Sequence, residues 1–338
     1  MQSLFYGISL LIAALSGLGF YLGGFWTWTG FLILFGLVSV FELFLSHFQI
    51  KASLTKSKWT DIWLFVSPIY LSAALVYSTF LFLNSNSSLE KWGYVLTSAS
   101  LLGGFGITIA HELVHRPQSW QRALGVWNLI LVHFGHWGIE HVFGHHKNVA
   151  TPLDAATARK DQGLYSFWIQ DYFGGWAHAW TFEINRLKND SNRWLKNRVL
   201  NYFIFSVVSL LSVGFFISWV AVAYWLMVSV VSILLLLSVD YIEHYGLTRD
   251  LRESGMYEPV HPQHSWDSNS FFTNIILVNL GLHAHHHMKA RLTFQELEAH
   301  SDSLKMPFGY PVMVALALVP PLYFKIMNPR LQNLTNKR

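Results

Sequence analysis

An all-α membrane fold, with six transmembrane helices and a histidine-rich cap on the cytosolic side, is what this sequence predicts. Three observations lead there. Of the 338 residues, 52% are hydrophobic and only 12% charged, about half the charged share of an ordinary soluble domain. Apolar stretches of about 20 residues, the length a helix needs to cross a hydrocarbon core of roughly 30 Å, recur along the chain. The basic residues, finally, fall almost entirely on one side of the spans so drawn.

The spans run from about Leu4 to Leu22, Trp26 to His47, Ile62 to Leu83, Trp92 to Ala110, Val199 to Val220 and Ala221 to Asp240. The last two form one apolar run of about forty residues, too long for a single crossing, and a hairpin near Trp219 divides them. The apolar N-terminus lacks the basic n-region of a signal peptide and precedes five more spans, so it reads as retained. With the N-terminus inside, the outer loops lie near 23–25, 84–91 and Trp219, and of the 23 basic residues only Lys91 falls in them. Both termini are therefore expected in the cytoplasm. Trp26, Trp28 and Trp92 read as aromatic-belt anchors at the interfaces. Without internal repeats or low-complexity linkers, residues 1–338 read as one membrane domain whose histidine segments, 111–146 and 244–287, are cytosolic. The net charge of +4 belongs to loops beside an anionic leaflet, and no nucleic-acid motif accompanies it.

Cysteine is absent, which removes disulfides, thiolate zinc sites, iron–sulfur clusters and a built-in rubredoxin. Any metal must sit on histidine or carboxylate. Seventeen histidines are present, and most lie in four clusters on one side of the membrane. His111-Glu112-Leu113-Val114-His115 follows the fourth span; if the helix continues, the two histidines stand one turn apart as a metal clamp. In Glu140-His141-Val142-Phe143-Gly144-His145-His146, helical spacing puts His141 and His145 on one face and turns His146 about 100° away, so neighbouring side chains could serve two ions. His283-Ala284-His285-His286-His287 offers three or four more ligands. His244, just past the sixth span, reads by itself as an interfacial residue. Counted with it, His111, His115, His141, His145, His146, His283, His286 and His287 make nine imidazoles, more than one ion accepts. Imidazole suits iron, zinc and copper alike. Glu112, Glu140, Asp154 and Glu243 lie beside these histidines and could accept the second ring N–H or form structural salt bridges. His47, His133, His178, His261 and His300 have no partner spacing and read as interfacial or surface groups. Gly103, Gly104 and Gly106 allow close helix packing or leave room near His111.

These residues resemble the integral-membrane alkane 1-monooxygenases, related to xylene monooxygenase and more distantly to membrane fatty acid desaturases. The resemblance covers nearly the whole chain. It rests on His111-Glu112-Leu113-x-His115, on Gly135-His136 leading into Glu140-His141-x-x-Gly144-His145-His146, and on Ala150-Thr151-Pro152-x-Asp154. It continues through Glu243-His244-Tyr245-Gly246-Leu247, His264-Ser265-Trp266 with Ser268-Asn269, the box at His283, His286 and His287, and the tail Pro307-Phe308-Gly309-Tyr310-Pro311 to Pro320-Pro321. It implies two non-heme Fe ions held by the nine histidines, His244 now among them, with His136 and His264 shaping the site. It also implies O2 as oxidant, electrons from a separate rubredoxin and its NAD(P)H-linked reductase, an apolar substrate drawn from the bilayer, and a bacterial inner membrane location. The chain departs from the family pattern at Val142-Phe143, Leu153, Ala155, Leu280-Gly281-Leu282 and His285, none of which removes a ligand.

Three other readings stay open on the residues. His111-Glu112-x-x-His115 also describes two zinc ligands and the general base of a membrane protease. A desaturase, or a hydroxylase of another lipid or aromatic methyl group, would use the same boxes. A metal-binding or transport protein would move metal without consuming O2, although it would need more intramembrane polar residues than the spans contain.

Overall fold

Five helices are long and apolar enough to cross a membrane, and the chain is all-α apart from one pair of two-residue strands among the described residues. The structure is a computed structural model that describes residues 6–45, 49 and 58–335. Helix α1, Ile8–Leu22, has 15 residues and so extends about 22 Å, short of a full crossing of roughly 30 Å. The membrane-length helices are α2 (Gly24–Phe44), α3 (Thr60–Asn84), α4 (Ser88–Val114), then α8 (Arg198–Phe216) and α9 (Trp219–His244). The sequence reading counted six spans with the N-terminal segment among them; five helices reach that length. A sixth is reached only if α12 (Tyr310–Ala317) and the helix after it, bent by 119° where Pro320 and Pro321 begin the next turn, are taken together. His47, the expected end of the second span, lies outside the described residues.

Helix α4 is the axis of the bundle: 89% of its apolar window is buried, against 22% for α8, whose outer face presents Phe203, Phe205 and Val208. Close packing of α4 on α9 depends on Gly103, where a Cβ would lie 2.8 Å from the Cα of Ser232. Because backbone, not a flexible side chain, would have to yield, Gly103→Val is expected to destabilise the protein by about 1–3 kcal/mol, read as a lowered thermal midpoint in detergent. The forty-residue apolar run breaks at Ile217 and Ser218, where the Ser218 hydroxyl accepts from the Val220 N–H to start α9.

Between α4 and α8 the chain makes a re-entrant hairpin. Helix α5 (Ser119–Ile130) runs back along α4: Gly125 abuts Ala110 and Leu113, and one turn later Asn128 donates to the carbonyl of Gly106. The chain reverses at His133, in the left-handed region at φ 57°. Its ring meets the Ser229 hydroxyl at 2.9 Å, more than half the length of α9 below His244. His133, expected as an interfacial or surface group, is thus half-buried against α9. From there α6, residues 137–148, climbs back to the level of His111. Helix α7 (Leu164–Arg186) packs on α9 through Phe167 against Tyr241 and an indole N–H from Trp168 to Ser238. Downstream, α10 (Phe271–Ile276) and α11 (His283–Met288) close the histidine end. The strands Trp266–Asp267 and Leu304–Lys305 pair in parallel beside them, and Asp267 Oδ1 accepts the Ala284 N–H at 2.7 Å, pinning the first turn of α11.

Candidate metal centre

At the end of α4 the helix runs unbroken to Val114, so His111 and His115 do stand one turn apart. The second box folds differently from an α-helix. Residues His141–His145 form a π-helical turn, whose i→i+5 bonding brings residues five apart over one another. His141 and His146 therefore face each other with Nε2 atoms 3.1 Å apart, and His145 is the one sent elsewhere, meeting His287 at 3.2 Å. His141 and His145 still lie side by side, their rings 5.4 Å apart, but the turn assigns them to different groups, and the expectation that neighbours in the box part company holds, with His145 and His146 in different groups.

Two groups result. His111, His115, His141, His146 and His286 form one, and His145, His244, His283 and His287 the other; within each, the ligand-capable atoms lie within 4.8 Å of one another. Nine histidines were singled out in the sequence, and the same nine make up these two sets. His285, also in the third box, points away: its ring meets that of His300 edge-on and its Nδ1 accepts the Glu298 N–H.

The donor set fits metal ions. Ligand nitrogens at right angles and about 2.1 Å from an ion sit about 3.0 Å apart, and neighbouring Nε2 atoms here lie 3.1 Å apart for His146–His286, 3.1 Å for His244–His283 and 2.9 Å for His283–His287. Asp154 Oδ2 accepts from Nδ1 of His145 at 2.9 Å, and the His264 carbonyl lies 3.3 Å from Nδ1 of His244. With the proton on Nδ1, the Nε2 lone pairs point into the group, an arrangement that repels unless a cation sits among them. In the other group the Nε2 atoms of His111 and His115 are buried without a hydrogen-bond partner. Burial holds His115 down to about 3, so its imidazole is neutral and its lone pair free at any working pH.

Of the carboxylates expected to orient ligands, Asp154 does so by a hydrogen bond and Glu243 lies beside a ligand ring without one. Asp154 is fully enclosed and also accepts from Thr157 Oγ1 at 2.6 Å and the Ala156 N–H at 3.2 Å; burial opposes its charge, but His145 more than offsets this and holds it below the usual range. Glu243 Oε1 lies 3.2 Å from Nδ1 of His283, too bent for a hydrogen bond, and accepts from the Tyr310 hydroxyl at 2.5 Å. The other two are used elsewhere. Glu112 binds Arg116 at 2.8 Å and the Phe294 N–H at 3.1 Å, which ties up the carboxylate a zinc protease would need as its base. Glu140 faces His178 at 3.7 Å. His264 acts through its backbone, since its own ring turns to Glu258 at 3.1 Å. The ring of His136 lies edge-on to Phe134 and Tyr172.

Sequence reasoning missed three supports. Trp137 stacks on His141 with ring centroids 4.4 Å apart; its position four residues earlier on a helix was the available signal. Tyr310, in the Pro-Phe-Gly-Tyr-Pro tail, holds Glu243. Asp267 pins α11 and had no local signal at all. Beneath the first group, a narrow cavity of ≈ 50 Å³ runs between α2, α4 and α9, lined by Leu34, Phe35, Gly104, Thr108, Leu236 and Val239. Thr108, one turn from His111, is the lining residue that brings the cavity nearest the first group in sequence. Gly103 thus serves packing, while Gly104 serves room.

A membrane bundle that carries three histidine boxes at its helix ends defines a class, and the comparisons agree: the chain belongs to the fatty acid desaturase family, whose model matches residues 89–314. Within that family it stands with the alkane 1-monooxygenases. Alkane 1-monooxygenase 2 of Alcanivorax borkumensis is 32% identical over 318 residues, 91% of this chain and 83% of that protein. Alkane 1-monooxygenases 1 and 2 of Pseudomonas aeruginosa are each 36% identical, over 247 and 243 residues, 72% and 71% of this chain. The match spans 64% of the length of each of those two relatives.

Proposed function

We propose that the chain is a di-iron membrane monooxygenase that hydroxylates the terminal carbon of an alkane or a similar aliphatic chain, using O2 and electrons from rubredoxin. The observation that carries this reading is the pair of adjoining groups of buried imidazoles at the end of α4, with a small apolar cavity that reaches Thr108, one turn from His111. His111, His115, His141, His146 and His286 would hold one iron, and His145, His244, His283 and His287 the other. Bound there, the irons supply the redox chemistry that inserts oxygen from O2 into a C–H bond. The chain's own residues do the rest. Leu34, Phe35, Leu236 and Val239 exclude water and hold a linear apolar chain end-on, with Thr108 marking the end nearest His111. Asp154 and the His264 carbonyl keep the Nδ1 protons of His145 and His244 in place, so that Nε2 remains the donor.

Because the chain has no cysteine, electrons must come from outside it, and a rubredoxin with its NAD(P)H-linked reductase fits that need. The basic loops support a reading in which the histidine end faces the cytoplasm at a bacterial inner membrane, where such soluble donors reach it.

The test is turnover by detergent-purified protein given octane, O2, rubredoxin, its reductase and NADH. Formation of 1-octanol is the expected result; no oxidised product, with iron present, would overturn the alkane reading. The family model favours one rival, a desaturase, and that reading predicts an alkene in place of the alcohol. A single substitution probes the cavity itself: a Cβ at Gly104 would lie 2.8 Å from Leu34 Cδ2. Gly104→Leu is therefore expected to cut octane oxidation by about tenfold or more at unchanged iron content. Full activity in that variant would place the substrate elsewhere.

A further inference from the structure

A groove of ≈ 1020 Å³ lies between α5, α6 and the start of α8. Its floor is apolar, made by Val126, Ile130, Ile139 and Val142. Its rim is cationic: Arg116, Arg122, Arg198 and Arg291 line it, and no acidic side chain does. Arg116 is buried and neutralised by Asp61 and Glu112, and Arg198 by Glu183 at 2.6 Å. Arg122 spends one nitrogen on the carbonyls of Arg116 and Pro117 and has no carboxylate partner, and Arg291 stands exposed, also without one. The inner end of the groove reaches His115 and His146, the two histidines of the first group that are not fully buried.

The groove opens sideways, toward lipid. Arg198 is the first residue of a membrane-length helix, and the surfaces flanking the groove, Trp127 on α5 with Phe203 and Phe205 on α8, are exposed and apolar. A concave apolar floor beneath a rim of arginines matches an amphiphile with a negative head. A folded acidic protein could lean on the rim, but it could not fill the floor.

We propose that this groove holds one anionic phospholipid of the leaflet nearest the histidines, its phosphate on Arg122, Arg291 and the exposed side of Arg198, and an acyl chain along α5. The lipid tail covers the open edge of the metal centre at His115 and His146. None of the arginines carrying the head contacts a metal-ligating nitrogen, so the site is separable from the chemistry.

The test takes the full chain reconstituted with equal parts of phosphatidylcholine and phosphatidylglycerol, re-extracted in mild detergent and weighed by native mass spectrometry. One phosphatidylglycerol per chain is the expected result, with retention about thirtyfold weaker for the double variant Arg122→Gln/Arg291→Gln, the effect of two arginines near a membrane surface. Ile130→Trp, which fills the floor and leaves the arginines intact, is expected to lose the lipid as well. Iron is expected to pass to a chelator faster from both variants. Equal retention of the two lipids, or a double variant that keeps its phosphatidylglycerol, would overturn the proposal. So would an outcome in which the arginine changes weaken rubredoxin binding and leave lipid retention untouched, since the rim would then serve a protein. Lipid retained by a chain that binds no iron would support the groove and count against the iron reading instead.

Discussion

Replacing His146 by alanine is expected to lower bound iron from about two ions per chain to about one and to abolish turnover, and replacing its neighbour His145 to do the same by emptying the other group. The two residues are adjacent in sequence, yet the π-helical turn sends His146 to His141 and His286, and His145 to His287 and Asp154. Each group loses one of few ligands, and a site whose parts act as a unit loses activity by about a thousandfold or more when one part goes. The double variant is expected to hold no iron. Metal analysis and product formation on the three purified variants check this; a His145→Ala protein that keeps both irons would contradict the division into groups.

The second large effect concerns a residue that touches no metal in this account. Asp154→Asn keeps the shape of the side chain and removes the charge that Nδ1 of His145 leans on. Loss of such an orienting carboxylate typically lowers metal affinity or activity by about 10–100-fold, and that range is expected here, measured as iron retained against a graded chelator. Glu140→Gln is the contrast. Glu140 also adjoins a metal-box histidine in sequence but spends its carboxylate on His178, so iron affinity is expected to stay as in the parent protein. Equal losses in the two variants would mean that burial of charge, not orientation of His145, is what the acids supply.

Much of this was legible in the residues because it depends on periodicity and composition. The apolar runs set the membrane helices, and eight of the nine histidines announced themselves by local spacing, His244 joining them only through the family resemblance. What spacing could not supply was the partition between sites, since a turn of i→i+5 bonding replaces the α-helical one at His141–His145. Nor could it tell which acid serves which histidine: Glu112, Glu140, Asp154 and Glu243 look alike in sequence, and their partners separate them, Arg116 and Thr157 from within a turn and His178 and Tyr310 from distant segments. The N-terminal helix ends at Leu22, where its apolar run ends in the sequence, because Gly23 at φ 70° hands the chain to α2.

The central claim is that two histidine groups hold two irons. Metal content of the detergent-purified protein, measured by mass spectrometry of the elements beside its protein concentration, tests it most directly. About two irons per chain, falling to one in His146→Ala, is the result this account predicts; zinc in their place, or a single ion shared by all nine histidines, would contradict it.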